Sequence, residues 1–211
     1  DQNIFICEAL KIKKLKHPLI VNIKAINFQS FYNPNKLEPS IIRDYISNIS
    51  LREVLNNSNN NNFTDTKKYI NLLGISNGML YLHENQIPHQ SLKPENILLD
   101  QNYYPHICDY NLYQMFPRIS TKINDIGRNK SMKYIAPEIL ANNKIYTESI
   151  DVFSFSILAY EIISCKVPYL DDVDLKNKII KGHRPQFNDK FSDKMKKLLQ
   201  LCWSPKSEER P

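Results

Sequence analysis

A short segment in the middle of the chain combines several polar and charged residue types that could carry chemistry. Residues 89–96 read His-Gln-Ser-Leu-Lys-Pro-Glu-Asn, and Asp109 follows Asn96 by thirteen residues, after a strand-like stretch. Lys93 offers a cation, Asn96 an amide and Asp109 a carboxylate. The hydroxyl of Ser91 carries no negative charge and is a poor base near neutral pH. Taken alone, an aspartate after a strand is more often a turn residue.

The octet resembles the catalytic loop H-R-D-x-x-x-x-N of protein kinases, with Gln90 in place of the arginine and Ser91 in place of the aspartate. Four later segments resemble further motifs of that family, in the family's order. They are Asp109-Tyr110-Asn111 for D-F-G, Ala136-Pro137-Glu138 for A-P-E, Asp151–Ser156 for D-V-W-S-F-G, and Cys202–Pro211 for C-W-x6-R-P. Five ordered matches argue against coincidence, and the resemblance extends over almost the whole chain.

The N-terminal segment resembles the αC helix of the same family and the turn after it. Residues 8–16 have apolar side chains at helical spacing, and His17-Pro18 follows where a helix should end. Glu8 then takes the position of the αC glutamate, whose partner in the family is a lysine on the third strand. That strand and the glycine-rich phosphate loop would precede residue 1, so the chain is expected to be a fragment.

The resemblance implies an α+β, protein-kinase-like fold that consists mainly of the helical C-terminal lobe. Residues 1–43 are expected to form an incomplete N-terminal lobe with αC and the family's fourth and fifth strands. The hinge is expected at 44–48, and 49–211 is the helical lobe with the catalytic loop and activation segment. Further boundaries are predicted as follows: strands at 20–28, 40–43 and 97–99, a turn at Asn33 to Lys36, and helices near 51–55, 64–85, 147–165, 171–181 and 191–203.

The longest of these helices, 64–85, has a helical period of apolar residues that is weakened locally by Gly74 and Gly78. The asparagine-rich run before it, 56–62, cannot bury apolar surface and is expected to be a flexible surface loop. The side chains predicted to be buried in the helix are Ile70, Leu73, Met79, Leu80 and Leu82.

The resemblance implies a site for ATP and Mg²⁺. Asp109 and Asn96 would hold the metal, Lys93 would meet the γ-phosphate, and Glu8 would hold the lysine of the third strand. Ser91 stands where the substrate hydroxyl needs a carboxylate to accept its proton, and losing a positioned base costs roughly 10² to 10⁴ in rate. In the alternative interpretation, Asn96 and Lys93 persist only as scaffolding of the loop in an inactive protein.

Structural roles are implied for five further residues. They are His89 and Tyr110, in a packed spine with Ile12; Glu138 and Arg210, in a buried ion pair; and Asp151, which anchors the backbone of the catalytic loop.

Other departures from the family's pattern also bear on activity. Gln90 removes the arginine that pairs with a phosphorylated activation segment. Arg43 falls at the gatekeeper position at the back of the adenine pocket, where it either obstructs nucleotide or turns outward. Asn111 replaces the D-F-G glycine, a mild change because asparagine tolerates left-handed backbone. Ser120 and Thr121 are candidate modification sites.

The composition argues against several classes of protein. The sequence has no run of about 18 apolar residues, so no membrane span is expected. Cys7, Cys108, Cys165 and Cys202 form no C-x-x-C pair, which favours reduced, packed thiols in a cytosolic protein over disulfides or zinc. The net charge of +6 includes lysines on predicted helix faces, with no nucleic-acid motif beside them. We therefore expect a cytoplasmic protein that binds no nucleic acid.

Two classes of function follow. The first is a catalytically impaired pseudokinase that binds ATP and Mg²⁺ and regulates signalling through contacts with a protein partner. The second is an active Ser/Thr kinase that transfers the γ-phosphate to protein hydroxyls, with Asp109 or another carboxylate replacing the missing base. Residues 92–96 and Ser131 resemble the Ser/Thr type, while the stretch after the hinge and the Cys202-Trp203 ending resemble tyrosine kinases. That mixture suits the tyrosine-kinase-like group, whose members mostly phosphorylate serine and threonine.

Overall fold

The computed structural model describes residues 2–27, 40–46, 49–57, 61–112, 131–141, 147–170 and 173–211. The predicted turn at 33–36, hinge residues 47–48, Ser120 and Thr121 lie outside the described residues. Within them the chain forms seven α-helices. They are α1 (Gln2–Lys13), α2 (Leu51–Asn56), α3 (Asp65–Glu84), α4 (Pro137–Leu140), α5 (Glu148–Ser164), α6 (Leu175–Ile180) and α7 (Asp193–Cys202).

The described strands form two antiparallel pairs. They are β1 (Ile23–Asn27) with β2 (Ser40–Arg43), and β3 (Ile97–Leu99) with β4 (Pro105–Ile107). The segment between α1 and β1 reaches β4, because Val21 N donates to Ile107 O and Ile107 N donates to Leu19 O, each at 2.8 Å. The few short strands among many helices confirm the predicted α+β class.

Helix α5 lies at the centre of the core and packs against α3 and α7. It is buried on nearly every face, and Phe153, Ile157 and Leu158 have no exposed surface. A helix in that position must find an internal partner for each of its charged side chains, because a buried unpaired charge is costly. Asp151 and Glu161 are such side chains, with exposures of 1% and 2%.

The helix starts follow from capping residues in the sequence. Ser50 and Glu53 form a reciprocal capping box at α2, in which each side chain accepts a backbone N–H of the other residue. The side-chain hydroxyls of Thr64 and Ser192 cap α3 and α7 by accepting the backbone N–H groups of Lys67 and Met195. Helix α6 begins at Leu175, later than predicted, after Asp174 in a left-handed conformation with φ +61°.

The buried face of α3 differs in part from the prediction. Met79 and Leu82 are buried as predicted. Leu73 and Leu80 were predicted to be buried and are 65% and 56% exposed, so this part of the prediction is wrong. The cause is that α3 carries leucines on two faces, and periodicity alone does not say which face meets the core. The buried apolar stripe consists of Leu72, Ile75, Met79 and Leu82.

Gly74 and Gly78 allow α3 to lie close against β4. A Cβ atom added at Gly74 would come within 2.6 Å of Pro105 Cγ, and one at Gly78 within 2.7 Å of Ile107 Cδ1. Both glycines are buried, and α3 contacts β4. The glycines therefore cost helix propensity but permit the packing of the long helix on the strand that leads to Asp109.

We expect Gly74→Ala to lower stability, although alanine is the better helix former by about 1 kcal/mol. The new methyl group meets a proline ring that cannot turn away, and overpacking of this kind costs about 1–3 kcal/mol. The net loss should lower the melting temperature by a few degrees in a thermal melt. Asn77→Ala, at an exposed position of the same helix, is the matched control and should not lower the melting temperature. A rise for Gly74→Ala would contradict the close packing.

Candidate active site

Asp151 fixes the backbone at the start of the predicted catalytic loop. Its carboxylate accepts hydrogen bonds from His89 N at 2.7 Å and Gln90 N at 2.8 Å. His83 Nε2 on α3 lies 3.0 Å from Asp151 Oδ2. Gln90 has a left-handed φ of +68°, which a non-glycine residue adopts at a cost and which the two bonds help to hold. The most buried acid of α5 therefore sets the path of the loop.

His89 is packed in the interior and has no exposed surface. Its ring meets the Tyr110 ring edge-on, with centroids 6.5 Å apart, and its Nδ1 accepts Ser91 N at 3.3 Å. Burial lowers the pKa of His89, so the ring is neutral near neutral pH. Tyr110 in turn donates its hydroxyl to Val21 O at 3.0 Å. These contacts join the loop to the segment between α1 and β1.

Ser91, Lys93 and Asn96 are held by bonds within the loop and to the residues before α4. Asn96 Nδ2 donates to Ser91 O at 2.8 Å and contacts Ser91 Oγ at 3.4 Å. Lys93 Nζ donates to Ser131 Oγ at 3.1 Å. The Asn96 side-chain amide therefore donates its N–H within the loop, and its carbonyl oxygen is left to act as a metal ligand. The structure thus brings Lys93 into contact with Ser131, which stands where serine/threonine kinases keep a hydroxyl group.

Asp109 and Asn111 both have left-handed backbone in the D-F-G-like turn, with φ of +59° and +60°. Asparagine and aspartate are the non-glycine residues that adopt this region most readily. Asp109 Oδ1 lies 2.8 Å from an Nη of Arg43, and the two side chains are 40% and 38% exposed. The gatekeeper arginine thus turns toward the D-F-G-like aspartate, a contact that the sequence prediction missed.

Glu8 on α1 faces the same turn. Asn111 Nδ2 donates to Glu8 Oε2 at 2.9 Å, and Lys11 Nζ lies 2.7 Å from Glu8 Oε1. Burial acts to raise the pKa of Glu8, but the hydrogen bonds from Lys11 and Asn111 outweigh burial and the pKa is lowered. The carboxylate is therefore ionised near neutral pH, and within the described residues its partners come from α1 and the turn.

The residues present fit an ATP and Mg²⁺ site in part. The Asn96 carbonyl oxygen is a suitable metal ligand, because the amide N–H is already satisfied by Ser91 O. The Asp109 carboxylate is also a suitable ligand type, but one of its oxygens is bound to the Arg43 guanidinium. A metal on Asp109 would have to share or displace that cation.

Arg52 on α2 organises an ionic network below the loop that the sequence prediction missed. Its guanidinium contacts Glu161 Oε1 at 2.5 Å, the Tyr134 hydroxyl at 2.6 Å and Glu95 Oε1 at 3.0 Å. Tyr134 also donates to Glu161. The sequence offered one signal of this network, which is Glu161, because a charged residue inside an apolar helix requires a buried partner. The network ties the catalytic loop, through Glu95, to α5.

Arg210 and Glu138 form a bidentate ion pair between the C-terminal segment and α4. The two Nη atoms of Arg210 lie 2.7 and 2.8 Å from the Glu138 carboxylate oxygens. Arg210 also donates to the carbonyl oxygens of Ser204 and Ser149, each at 3.0 Å. Its side chain has no exposed surface. The pair holds the helix that follows the activation segment.

The four cysteines are free, and two of them are buried. Cys108 lies directly before Asp109, and burial raises the pKa of its thiol to about 12. Cys202 is also buried, whereas Cys7 and Cys165 are exposed, so the expected packing holds for only two of the four thiols.

We expect only Cys7 and Cys165 to react with iodoacetamide in the folded protein at about pH 8, because the thiolate is the reactive form. Mass spectrometry of peptides should show alkylated Cys108 and Cys202 only after unfolding in urea. Alkylation of Cys108 in the folded protein at the rate of Cys165 would contradict its burial.

None of the seven described helices has the length and apolar character that a membrane crossing requires. Within the described ranges, His, Cys, Asp and Glu side chains also form no group of three or more that could hold a metal ion by themselves.

Comparison with known proteins identifies the family. Residues 1–211 match the family described as protein tyrosine and serine/threonine kinase. Serine/threonine-protein kinase 12 of Arabidopsis thaliana is 30% identical over 215 residues, which cover 97% of this chain and 44% of that protein. Dual specificity protein kinase shkB of Dictyostelium discoideum is 35% identical over 139 residues, which cover 64% of this chain and 21% of that protein. Tyrosine-protein kinase SPK-1 of Girardia tigrina is 27% identical over 221 residues, which cover 100% of this chain and 43% of that protein.

The chain spans 44%, 21% and 43% of the lengths of these three relatives, less than half of each. The matched span contains every motif on which the sequence prediction rested, from Glu8 to Pro211. The prediction of a protein kinase domain is confirmed, and the chain belongs to the protein tyrosine and serine/threonine kinase family.

Proposed function

We propose that this chain is a kinase domain of Ser/Thr type, of the tyrosine-kinase-like group, whose phosphate transfer is impaired. In this proposal it binds ATP and regulates cytoplasmic signalling through contacts with a protein partner. The observation that carries the proposal is Ser91, which lies in a loop whose other functional side chains are held in place. Asp151 fixes the loop backbone, while Asn96 bonds to Ser91 and Lys93 to Ser131.

Each held residue has a defined part in binding. Lys93 presents its ammonium group beside Ser131, where a cation can neutralise a phosphate. Asn96 and Asp109 would hold Mg²⁺ where it enters with the nucleotide, and the metal would then supply counter-charge to the phosphates. The substrate hydroxyl would find at Ser91 a neutral hydroxyl, which orients it but accepts its proton poorly. Binding can therefore persist where transfer is slow.

An active Ser/Thr kinase is the second candidate function. The observation in its favour is that the Asp109 side chain is 40% exposed and is paired with one guanidinium. A carboxylate that is accessible in this way could accept the proton in place of the missing base. The contact of Lys93 with Ser131 supports serine and threonine as acceptors in either candidate function. The relatives named above include serine/threonine, dual-specificity and tyrosine kinases.

The first test is a thermal-shift titration with ATP on the chain, expressed together with any sequence that precedes residue 1 in its gene. A ligand that binds only the folded state stabilises it, by about 2.7 kcal/mol when ATP reaches 100 times its Kd, and the melting temperature rises as a result. We expect a saturable rise with ATP and little labelling of a generic protein substrate by radioactive ATP. No shift at millimolar ATP would overturn nucleotide binding, and rapid labelling would favour the active kinase.

A further inference from the structure

The contact between Arg43 and Asp109 joins the end of β2 to the turn after β4, beside the candidate nucleotide site. Arg43 is the last residue of β2, and Asp109 follows β4 after Cys108. Their side chains meet at 2.8 Å, on the wall of a cavity of about 320 Å³ that is otherwise lined mainly by apolar side chains such as Val21 and Ile41. The pair therefore lines the pocket, and both side chains are also partly exposed to solvent.

Within the part of the chain that the structure describes, few other groups can satisfy either charge at this point. Glu8, another carboxylate near the turn, is already bound by Lys11 and Asn111. The guanidinium of arginine is charged at every accessible pH, so the contact does not depend on titration. Asp109 Oδ1 consequently has a permanent cation as its partner in the structure.

A divalent cation on Asp109 would stand next to that guanidinium. The same carboxylate oxygens attract both, and the two cations repel each other through a pocket with apolar walls, where the effective dielectric constant is lower than in water. Asn96 alone offers one neutral carbonyl oxygen, which is too little for a hard cation that prefers several oxygen ligands. Metal binding and the Arg43 contact therefore compete for Asp109.

We infer that the Arg43 guanidinium occupies the place of a divalent cation on Asp109, so that this pocket takes up nucleotide phosphate with little help from metal. This inference rests on the proposed function, because it takes Asp109 and Asn96 as the residues that would hold Mg²⁺. It assigns to the residue at the gatekeeper position a role in ligand specificity: Arg43 selects against the metal-bound form of the nucleotide.

The test is a titration with Mn²⁺ alone, followed by the electron paramagnetic resonance signal of the free ion. Arg43→Met removes the charge and keeps an unbranched side chain, and it should bind Mn²⁺ about tenfold more tightly than the unchanged chain, or about 1.4 kcal/mol. Arg43→Lys keeps the cation and should stay close to the unchanged chain. The double variant Arg43→Met/Asp109→Asn should lose the gain, since it removes the carboxylate that the metal would use.

Arg43→Gln provides a second uncharged variant, and far-ultraviolet circular dichroism confirms that each variant is folded. Equal Mn²⁺ affinity in the unchanged chain and in both uncharged variants would overturn the inference. A gain that survives the Asp109→Asn change would overturn it as well, because the metal would then bind elsewhere. The titration contains no nucleotide, so it tests the competition between Arg43 and the metal for Asp109. A failure of ATP binding would overturn the proposed function and the role of Arg43 in nucleotide selection, but it would not change the measured Mn²⁺ affinities.

Discussion

Replacing Ser91 with aspartate is expected to raise the rate of phosphate transfer to a protein substrate by roughly 10²- to 10⁴-fold, the usual contribution of a positioned base. The change places a carboxylate in a loop that is otherwise prepared for it. Asp151 holds the backbone on one side of Ser91, and Asn96 donates to the Ser91 carbonyl oxygen. Because those contacts use the backbone of residue 91 and its neighbours, they should survive a change of its side chain.

The measurement is incorporation of radioactive phosphate from ATP into a generic substrate, with phosphoamino-acid analysis to separate serine and threonine from tyrosine. Ser91→Asn is the matched control, because it has nearly the size of aspartate and no acid group. It should remain as slow as the unchanged chain. Equal rates for Ser91→Asp and the unchanged chain would show that something other than the missing base limits transfer.

The Arg43 contact affects how this result depends on metal. If Arg43 keeps Mg²⁺ from Asp109, the gain from Ser91→Asp alone should lie at the lower end of that range, and Arg43→Met/Ser91→Asp should give more than the two single changes together. Such non-additivity is expected for residues that act in one site. It would link the two departures of this chain from the family's pattern to one function.

Much of the site could be predicted because its residues lie in short motifs with fixed spacing. The octet 89–96, the turn at 109–111 and the helix that begins near Asp151 are each local in sequence, and the chain path between them is set by hydrogen bonds. Asn111 illustrates this, since its residue type tolerates the left-handed φ of +60° that the structure shows.

The contacts that the sequence did not reveal join residues that are far apart in the chain. Arg43 and Asp109 are separated by 66 positions and Arg52 and Glu161 by 109. No local pattern encodes which of several arginines reaches which acid, because the choice depends on how α2, β2 and α5 are packed. The same limit explains the error at Leu73, whose exposure depends on which face of α3 meets the core.

Removing Arg210 should destabilise the fold more than the overpacking of α3 by Gly74→Ala. The Arg210 side chain has no exposed surface and the Glu138 side chain is 17% exposed, so Arg210→Met leaves a largely buried carboxylate without its partner. Breaking a buried pair from one side typically costs about 3–5 kcal/mol. The free carbonyl groups of Ser204 and Ser149 add to that cost.

In a thermal melt this loss corresponds to a fall of roughly 6–20 °C, at about 2–4 °C per kcal/mol for a domain of this size. Lys206→Met is the matched control, because the Lys206–Glu209 pair spans 3.0 Å with side chains that are 68% and 51% exposed. Exposed pairs contribute about 0–1 kcal/mol, so its melting temperature should barely change. Similar melting temperatures for the two variants would show that the buried pair does not stabilise this domain.

The variant Glu138→Gln distinguishes the contribution of the Arg210–Glu138 charge pair to stability from the contribution of Arg210 packing. The amide keeps the shape of the side chain and can still accept one hydrogen bond from Arg210, but it leaves a guanidinium with no exposed surface and no counter-charge. If the charge pairing matters, Glu138→Gln should be nearly as unstable as Arg210→Met. If it is as stable as the Lys206→Met control, the C-terminal segment is held by the carbonyl contacts of Arg210 and by its packing on the Phe153 ring, 5.3 Å away.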